Sequence, residues 1–151
     1  MGLTHYWRRP PRLPQAAFTR AVEDCRRGIP QLGVPLASHT GHAVFQEDLI
    51  CFNGVAPRHC ESFIVRQIEA PQGHRGGGLS FSKASSAARV FSFTKTNLLP
   101  YDRCVRVALI ILQHHLADLL DVSSDDPGHW DDARAWCQEH LGYGEDFRLS
   151  V

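Results

Sequence analysis

The chain has 151 residues, of which 43% are hydrophobic, and its 16 basic and 16 acidic residues give a formal net charge of zero. This length suffices for one compact domain with a sizeable core and is short for two, so we expect a single domain over residues 1–151. The absence of a basic surplus makes a nucleic-acid partner unexpected. No apolar run reaches the roughly 20 residues of a membrane span, so we expect no membrane association.

The first twelve residues, MGLTHYWRRPPR, contain no apolar stretch after their basic residues, so we expect no secretory signal. The five cysteines are irregularly spaced and form no C-x-x-C pair, which argues against a disulfide framework. Cys51 and Cys60 flank one loop, and a bridge between them stays open. These features predict a cytoplasmic protein whose thiols are mostly buried.

Charge is divided between the two ends of the chain. Residues 1–30 hold six arginines and two acids, a net charge of +4, whereas residues 116–151 hold two arginines and nine acids, a net charge of −7. Two interpretations are open. In the first, the two ends pack together or each is a solvated face. In the second, the opposite charges of the ends steer a charged partner to one face of the protein.

Apolar periodicity predicts an amphipathic helix in LPQAAFTRAVEDCRRG, with Phe18, Ala21, Val22 and Cys25 on one face and Gly28 as its end. Strand-like runs follow in HAVFQ, DLICFNG, ESFIVRQI, GLSFSK and RVFSFTK, separated by turn-forming residues. The short connections favour one antiparallel sheet of four or five strands, in which the last two runs are a candidate hairpin.

The second half of the chain is predicted to be mainly helical. From Pro100 to about Leu120, apolar residues occur almost all round the helical wheel, which predicts a long buried helix. After the acidic loop DVSSDDPGH, a last amphipathic helix is predicted from about Trp130 to Leu141, with Gly142 as its end. The predicted fold is α+β: an antiparallel sheet packed on a long buried helix, with an N-terminal and a C-terminal amphipathic helix.

Lys95 is one of only two lysines beside fourteen arginines, and it ends the strand-like run VFSFTK. Period-2 alternation puts Phe91, Phe93 and Lys95 on one face, so we expect the ammonium to continue an apolar face and to be partly enclosed. Asp102 stands in the first turn of the next helix, where the helix dipole favours a carboxylate. Lys95 and Asp102 are either a structural ion pair or parts of a functional site.

A second polar position lies in CFNGVAPRHCESF. Glu61 shares a face with Phe63 and Val65, so it is either the edge of a strand or a functional carboxylate on a core-facing side. The histidines form no zinc-binding pattern, and the glycine-rich HRGGGLS lacks the lysine of a phosphate-binding loop. The sequence therefore predicts no metal and no cofactor.

Five segments, taken in order, resemble one family: MGLTHYWRRP, FNG, CESF, FSFTKTNLLPYDRCV, and VSSDD followed by a tryptophan. It is a family of small uncharacterised proteins of bacteria and their phages that begin Met-Gly-Tyr-Thr-His-Tyr-Trp, and the resemblance spans nearly the whole chain. This chain departs from the family at Leu3, at Leu98 and Leu99, where the turn is usually more basic, and at Asp126. The resemblance implies a phage or mobile-element association and no particular activity.

The family motifs overlap the polar positions identified above and so define a candidate site. These residues could form one concave site in which free N–H groups at a helix N-terminus bind a small anionic ligand. They could equally form a buried polar network that fixes the fold. The candidate residues are His5, Asn53, Glu61, Lys95, Thr96, Asp102 and Asp125.

Two functions are consistent with these observations. The lack of a recognisable catalytic motif favours a small soluble binding or regulatory protein that acts through a protein partner. The alternative is a small hydrolase or transferase, in which Lys95, Glu61, Asp102 and His5 gather around a polar substrate and supply acid, base and cationic stabilisation.

Overall fold

The computed structural model describes residues 3–70 and 89–150, so the predicted strand GLSFSK lies outside the described residues. The described chain contains short 3-10 turns at Ile29–Leu32, Ala117–Leu119 and Pro127–His129. Its strands and helices follow in the order β1 (Thr4–Arg9), α1 (Gln15–Gly28), β2 (Leu36–Ala37), β3 (Val44–Gln46), β4 (Leu49–Gly54), β5 (Phe63–Arg66), β6 (Val90–Lys95), α2 (Asp102–Leu116), β7 (Asp121–Ser124) and α3 (Trp130–Leu141).

The strands form two antiparallel sheets, so the fold is α+β as predicted, but the prediction of one sheet was wrong. The first sheet has the order β6-β1-β7, and the second has the order β2-β4-β3 with β5 also paired to β4. β1 and β7 were not predicted, because their inward positions include His5, Arg9 and Ser124, and these polar residues conceal the alternation that marks a half-buried strand.

Two of the predicted helices lie where the periodicity placed them. α1 buries Phe18, Ala21, Val22 and Cys25, and a 3-10 turn follows Gly28 directly. α3 spans Trp130–Leu141, and Gly142 ends it in the left-handed conformation with φ of 87°. That conformation is favourable for glycine because it has no Cβ.

α2 lies between α1 and α3 and forms the centre of the hydrophobic core. Every residue from 104 to 112 is buried, and the helix begins two residues later and ends four residues earlier than the predicted Pro100–Leu120. Its buried side chains share one core cluster with Trp7 of β1, Phe63 of β5 and Val122 of β7. None of the helices in the described ranges is long and apolar enough to cross a membrane.

Among residues 3–70 and 89–150, the two oppositely charged ends of the chain meet through backbone pairing rather than through ion pairs. β1 of the basic segment pairs antiparallel with β7 of the acidic segment. Arg26 and Arg27 instead pair with Glu23 and Asp24 on α1. Arg9 donates hydrogen bonds to the carbonyls of Pro10 and Pro11, directly after β1, and of Gln67, directly after β5. The charge division is therefore not what brings the ends together.

All five cysteines are free thiols, so Cys51 and Cys60 form no bridge. Burial raises the pKa of Cys104 and of Cys137 to about 12. These two thiols are therefore protonated at neutral pH and act as small apolar groups in the core.

The central position of α2 predicts a large loss of stability when its side chains are truncated. Leu109 is fully buried, so Leu109→Ala should lower the free energy of unfolding by about 2 to 5 kcal/mol, because it removes apolar contacts and leaves a cavity. The control is Arg103→Ala, at an exposed position on the same helix, which should change it by less than about 0.5 kcal/mol. Denaturant unfolding measures both, and equal effects would contradict this packing.

Candidate functional site

Asp102, the first residue of α2, is the centre of a buried polar cluster. Its Oδ1 accepts hydrogen bonds from His5 Nε2 at 2.7 Å and from Thr96 Oγ1 at 2.5 Å, and its Oδ2 accepts one from Arg106 Nε at 2.6 Å. The donors belong to β1, to the turn after β6 and to the next turn of α2. One carboxylate therefore joins three parts of the fold.

His5 continues this cluster to β7. Because the Asp102 carboxylate only accepts, Nε2 of His5 carries the hydrogen of that bond, and Nδ1 on the other side of the ring lies 2.9 Å from the Ser124 hydroxyl. The ring also makes an edge-on contact with Trp130, with 5.2 Å between centroids. His5 is fully buried, so its two nitrogens are satisfied inside the protein.

Arg106 lies between two carboxylates and an aromatic ring. Its Nη2 is 3.5 Å from Asp126 Oδ2, and its guanidinium carbon lies 5.2 Å from the centroid of the Trp130 ring. The side chain is 2% exposed, and within the described residues neither Nη1 nor Nη2 has a hydrogen-bond partner. The charge of Arg106 is therefore balanced, whereas its hydrogen-bonding capacity is only partly used.

The partners of Asp102 keep its carboxylate ionised despite burial. Burial by itself would raise the pKa of Asp102. The hydrogen bonds from His5 and Thr96, together with the charges around it, outweigh that effect and hold the pKa below its usual value. The cluster is thus built around an anion.

Lys95 lies on the solvent side of the first sheet, and its predicted enclosure was wrong. Phe91 and Phe93 are 45% and 54% exposed, whereas Val90 and Thr94 are buried. Phe91, Phe93 and Lys95 do share one face of β6, as predicted, but this face is the outer one. Thr94 can occupy the inner face because its hydroxyl donates a hydrogen bond to a backbone carbonyl. The predicted ion pair with Asp102 is also absent from the described residues, where Arg106 takes that place.

Glu61 meets Lys95 through the backbone of the lysine. The Glu61 carboxylate accepts a hydrogen bond from the Lys95 N–H at 2.8 Å, and the Glu61 N–H donates to the Lys95 carbonyl at 3.1 Å. Glu61 is exposed, so the prediction of a core-facing side was wrong: it precedes β5, where the strand alternation does not yet apply. The contact joins β6 of the first sheet to the beginning of β5.

Two further candidate residues organise turns. Asn53 closes the loop after β4, because its Oδ1 accepts from the N–H groups of Gly54 and Cys60 and its Nδ2 donates to the Cys60 carbonyl. Asp125 extends the pairing of β1 with β7, since its carboxylate accepts from the Thr4 N–H and the Tyr6 hydroxyl, each at 3.1 Å. Neither side chain reaches the Asp102 cluster.

The N-terminus of α2 does not offer free N–H groups to an anion. The N–H of Asp102 donates to the Leu99 carbonyl at 2.8 Å, and the N–H of Cys104 donates to the Tyr101 carbonyl at 2.9 Å. The tight turn before the helix thus uses the donors that the sequence analysis assigned to a small anionic ligand.

The seven predicted site residues therefore separate into a buried cluster and several turn contacts. His5, Thr96 and Asp102 come together, whereas the other four do not join them. Sequence reasoning missed Arg106 and Ser124. Arg106 stands four residues after Asp102, a spacing that places an acid and a base on one helix face and could have identified the pair.

The outer face of the first sheet carries an exposed aromatic cluster, which we call the aromatic face: Tyr6 and Arg8 of β1 with Phe91 and Phe93 of β6. Tyr6 lies opposite Phe93, and Arg8 lies opposite Phe91. The ring of Tyr6 stacks on Phe91 with 6.0 Å between centroids, and the guanidinium of Arg8 lies 5.1 Å from the Phe91 centroid. Lys95 lies at one end of this face.

A groove with a cavity volume of about 530 Å³ runs beside the aromatic face, between β6 of the first sheet and β5 of the second. Its exposed apolar surface includes Ile68, which is 49% exposed. The groove is lined by Trp7, Ser62, Ile64, Arg66, Ile68, Glu69, Ala70, Phe91, Ser92 and Phe93.

No protein-family model matches the chain, and comparisons with curated proteins and with solved structures find no match. In residues 3–70 and 89–150, no group of three or more His, Cys, Asp or Glu residues is placed to hold a metal ion. The geometry of the chain itself therefore carries the functional argument.

The cluster predicts that Arg106, and not Lys95, is the structural partner of Asp102. Arg106→Met should lower the free energy of unfolding by roughly 3 to 5 kcal/mol, because it leaves a buried carboxylate without its cation. Lys95→Met should change it by less than about 0.5 kcal/mol, because Lys95 is exposed. Denaturant melts of the two variants decide the matter, and a comparable loss for Lys95→Met would contradict the arrangement.

The lowered pKa of Asp102 predicts an acid-dependent loss of stability. A carboxyl group whose pKa is lower in the folded state stabilises the protein above its unfolded pKa of about 3.9, and this stabilisation is lost as the pH falls through the folded pKa. The unfolding free energy of Asp102→Asn should therefore fall less steeply below pH ~4 than that of the parent. Asp24 and Asp126, whose pKa values are also lowered, leave a residual slope in both proteins. Parallel slopes would contradict the prediction.

Proposed function

We propose that the protein is a small binding or regulatory protein that acts through a protein partner, and that the partner binds the aromatic face and the adjoining groove. The observation that carries the proposal is the exposure of Phe91 and Phe93 side by side on a sheet whose inner face is well packed. Single exposed apolar residues are common, but a contiguous apolar patch bordered by polar groups is typical of an interaction surface.

The composition of the face supports a protein rather than a small-molecule partner. Aromatic residues and arginine are enriched in protein interfaces, and here Tyr6, Phe91 and Phe93 lie beside Arg8. The rings contact one another and are held on paired strands, so little side-chain freedom is lost on binding. The groove adds a depression with a mixed polar and apolar lining, into which a partner side chain fits.

The enzyme alternative has weaker geometric support. Lys95 and Glu61 are exposed, and the Glu61 carboxylate contacts the backbone N–H of Lys95 rather than its ammonium, whereas His5 and Asp102 are buried. A chain of hydrogen bonds does run from Ser124 through His5 to Asp102, which is the order of a nucleophile, a base and a carboxylate that orients the base. Nevertheless, the Ser124 hydroxyl already accepts from the Asp126 N–H, and the imidazole has no exposed surface. We therefore assign this chain of bonds to folding.

Location and origin are part of the same proposal. Free cysteines, three of them with strongly raised pKa values in the core, fit the reducing conditions of the cytoplasm. The resemblance to the phage-associated family supports a role on a mobile element, in which a small protein without a catalytic motif would act on a host or phage protein.

Photocrosslinking tests the proposed surface. p-Benzoylphenylalanine at Phe93 should capture a protein in a lysate of the organism that encodes the chain, whereas the same group at Val55, which is 44% exposed on the loop after β4, should not. Excess unlabelled parent protein should abolish the adduct, and excess Phe91→Ser/Phe93→Ser protein should not. Thermal melts should show that this variant is folded. Capture at both positions, or equal competition by parent and variant, would contradict the proposal.

A further inference from the structure

We infer that the partner segment binds as an added β-strand, pairing with the outer edge of β6 while its side chains enter the groove. This inference rests on the proposed function and specifies its mode of recognition. It is carried by the direction of backbone groups in β6, by the two surfaces that an added strand would contact, and by the charges around them.

The backbone of β6 directs alternate residues toward β1 and toward the groove. The N–H of Thr96 donates to the Leu3 carbonyl on the β1 side, whereas the N–H of Lys95 donates to Glu61 on the opposite side. In an antiparallel ladder this parity continues, so the N–H and carbonyl groups of Phe91 and Phe93 point away from β1. Within the described residues these groups have no strand partner, because β6 pairs only with β1. An added strand would satisfy them.

The contact between Glu61 and Lys95 sets where this edge begins. The N–H and carbonyl groups of Lys95 are already bonded to Glu61, so they are not available to an added strand. From Lys95 toward Phe91, β5 and β6 border the groove. The unpaired section therefore extends from Phe93 toward Phe91. A partner segment of about four residues would span it, since a strand rises about 3.3 Å per residue.

An added strand would place apolar side chains on both of its faces. Side chains on its outer face would pack beside Phe91 and Phe93, as cross-strand neighbours do. Side chains on its inner face would enter the groove over Trp7, Ile64 and Ile68. The preferred segment is thus a short run of β-branched or aromatic residues rather than an amphipathic helix.

The charges around the groove specify the residues that flank this run. Arg8, Arg66 and Lys95 are exposed and take part in no ion pair of the described residues. The neighbouring carboxylates are already engaged, because Glu61 accepts from the Lys95 N–H, and Glu69 pairs with Arg9 and accepts from the Arg66 N–H. Acidic residues on both sides of the apolar run would complement these cations. Two other occupants are poorer matches to these cations. Pairing the β6 edges of two copies of this chain would bring the same cations together, and the chain's own predicted strand GLSFSK stands in a stretch, residues 71–88, that contains no acidic residue.

Selection of random dodecapeptides displayed on phage, against the full-length protein, tests the inference. Selected peptides should contain a β-branched or aromatic run with acidic flanks. Lys95→Glu and Arg66→Glu should weaken the binding of a synthetic selected peptide by roughly tenfold or more, and Arg20→Glu, at an exposed position on α1, should not. A selection without such peptides, or equal effects of the three variants, would overturn the inference.

Amide hydrogen exchange, followed by NMR, tests the pairing itself. The amides of Phe91 and Phe93 should exchange rapidly in the free protein and slow by about tenfold or more with the peptide. The amides of Ser92 and Thr94, which face β1, are the internal control and should be protected throughout. Protection of Phe91 and Phe93 before peptide is added would mean that the edge is already occupied, and would overturn the inference.

The same measurements separate the two proposals. Peptide binding that depends on Phe93 but leaves the exchange of both edge amides unchanged would overturn strand addition and leave the aromatic face as the binding surface. Loss of photocrosslinking specificity at Phe93 would instead overturn the proposed function itself.

Discussion

The buried carboxylate of Asp102 is the interaction on which the rest of the structure depends. A charge inside a protein is tolerated only when partners replace the water it has lost. Here the replacements come from His5, Thr96 and Arg106, which belong to β1, to the turn after β6 and to α2. Satisfying one anion therefore fixes the first sheet against the central helix, and His5 extends the connection to Ser124 of β7.

This anchoring explains why the first sheet has polar residues inside and aromatic residues outside. Inward-facing His5, Arg9 and Thr94 are buried and hydrogen-bonded, whereas outward-facing Phe91 and Phe93 remain in contact with water. Exposed apolar area has an unfavourable free energy of about 25 cal/mol per Å². The proposed binding role would account for a sheet that retains such area on a rigid support, since local departures from folding rules are typical of functional surfaces.

The sequence predicted much of the fold and little of the site, for physical reasons that particular residues illustrate. α1 and α3 were predictable because their apolar periodicity and the glycines at their ends act locally. β1 was not predicted because the inward-facing His5 makes its hydrogen bonds to Asp102 and Ser124, which are 97 and 119 positions away in the chain. Nothing near His5 in the sequence indicates these partners. The alternation of Phe91, Phe93 and Lys95 was predicted correctly, but no local feature indicates which side of a strand the core will cover.

A double-mutant cycle between His5 and Asp102 is the most direct test of this account. A shift of one residue in the register of β1 would turn His5 outward and Tyr6 inward, and would exchange the two faces of the sheet. The measurement is the free energy of unfolding for the parent, His5→Leu, Asp102→Leu and the double variant. The account predicts a coupling energy of about 1 to 3 kcal/mol between the two positions. Effects that add within about 0.5 kcal/mol would contradict it.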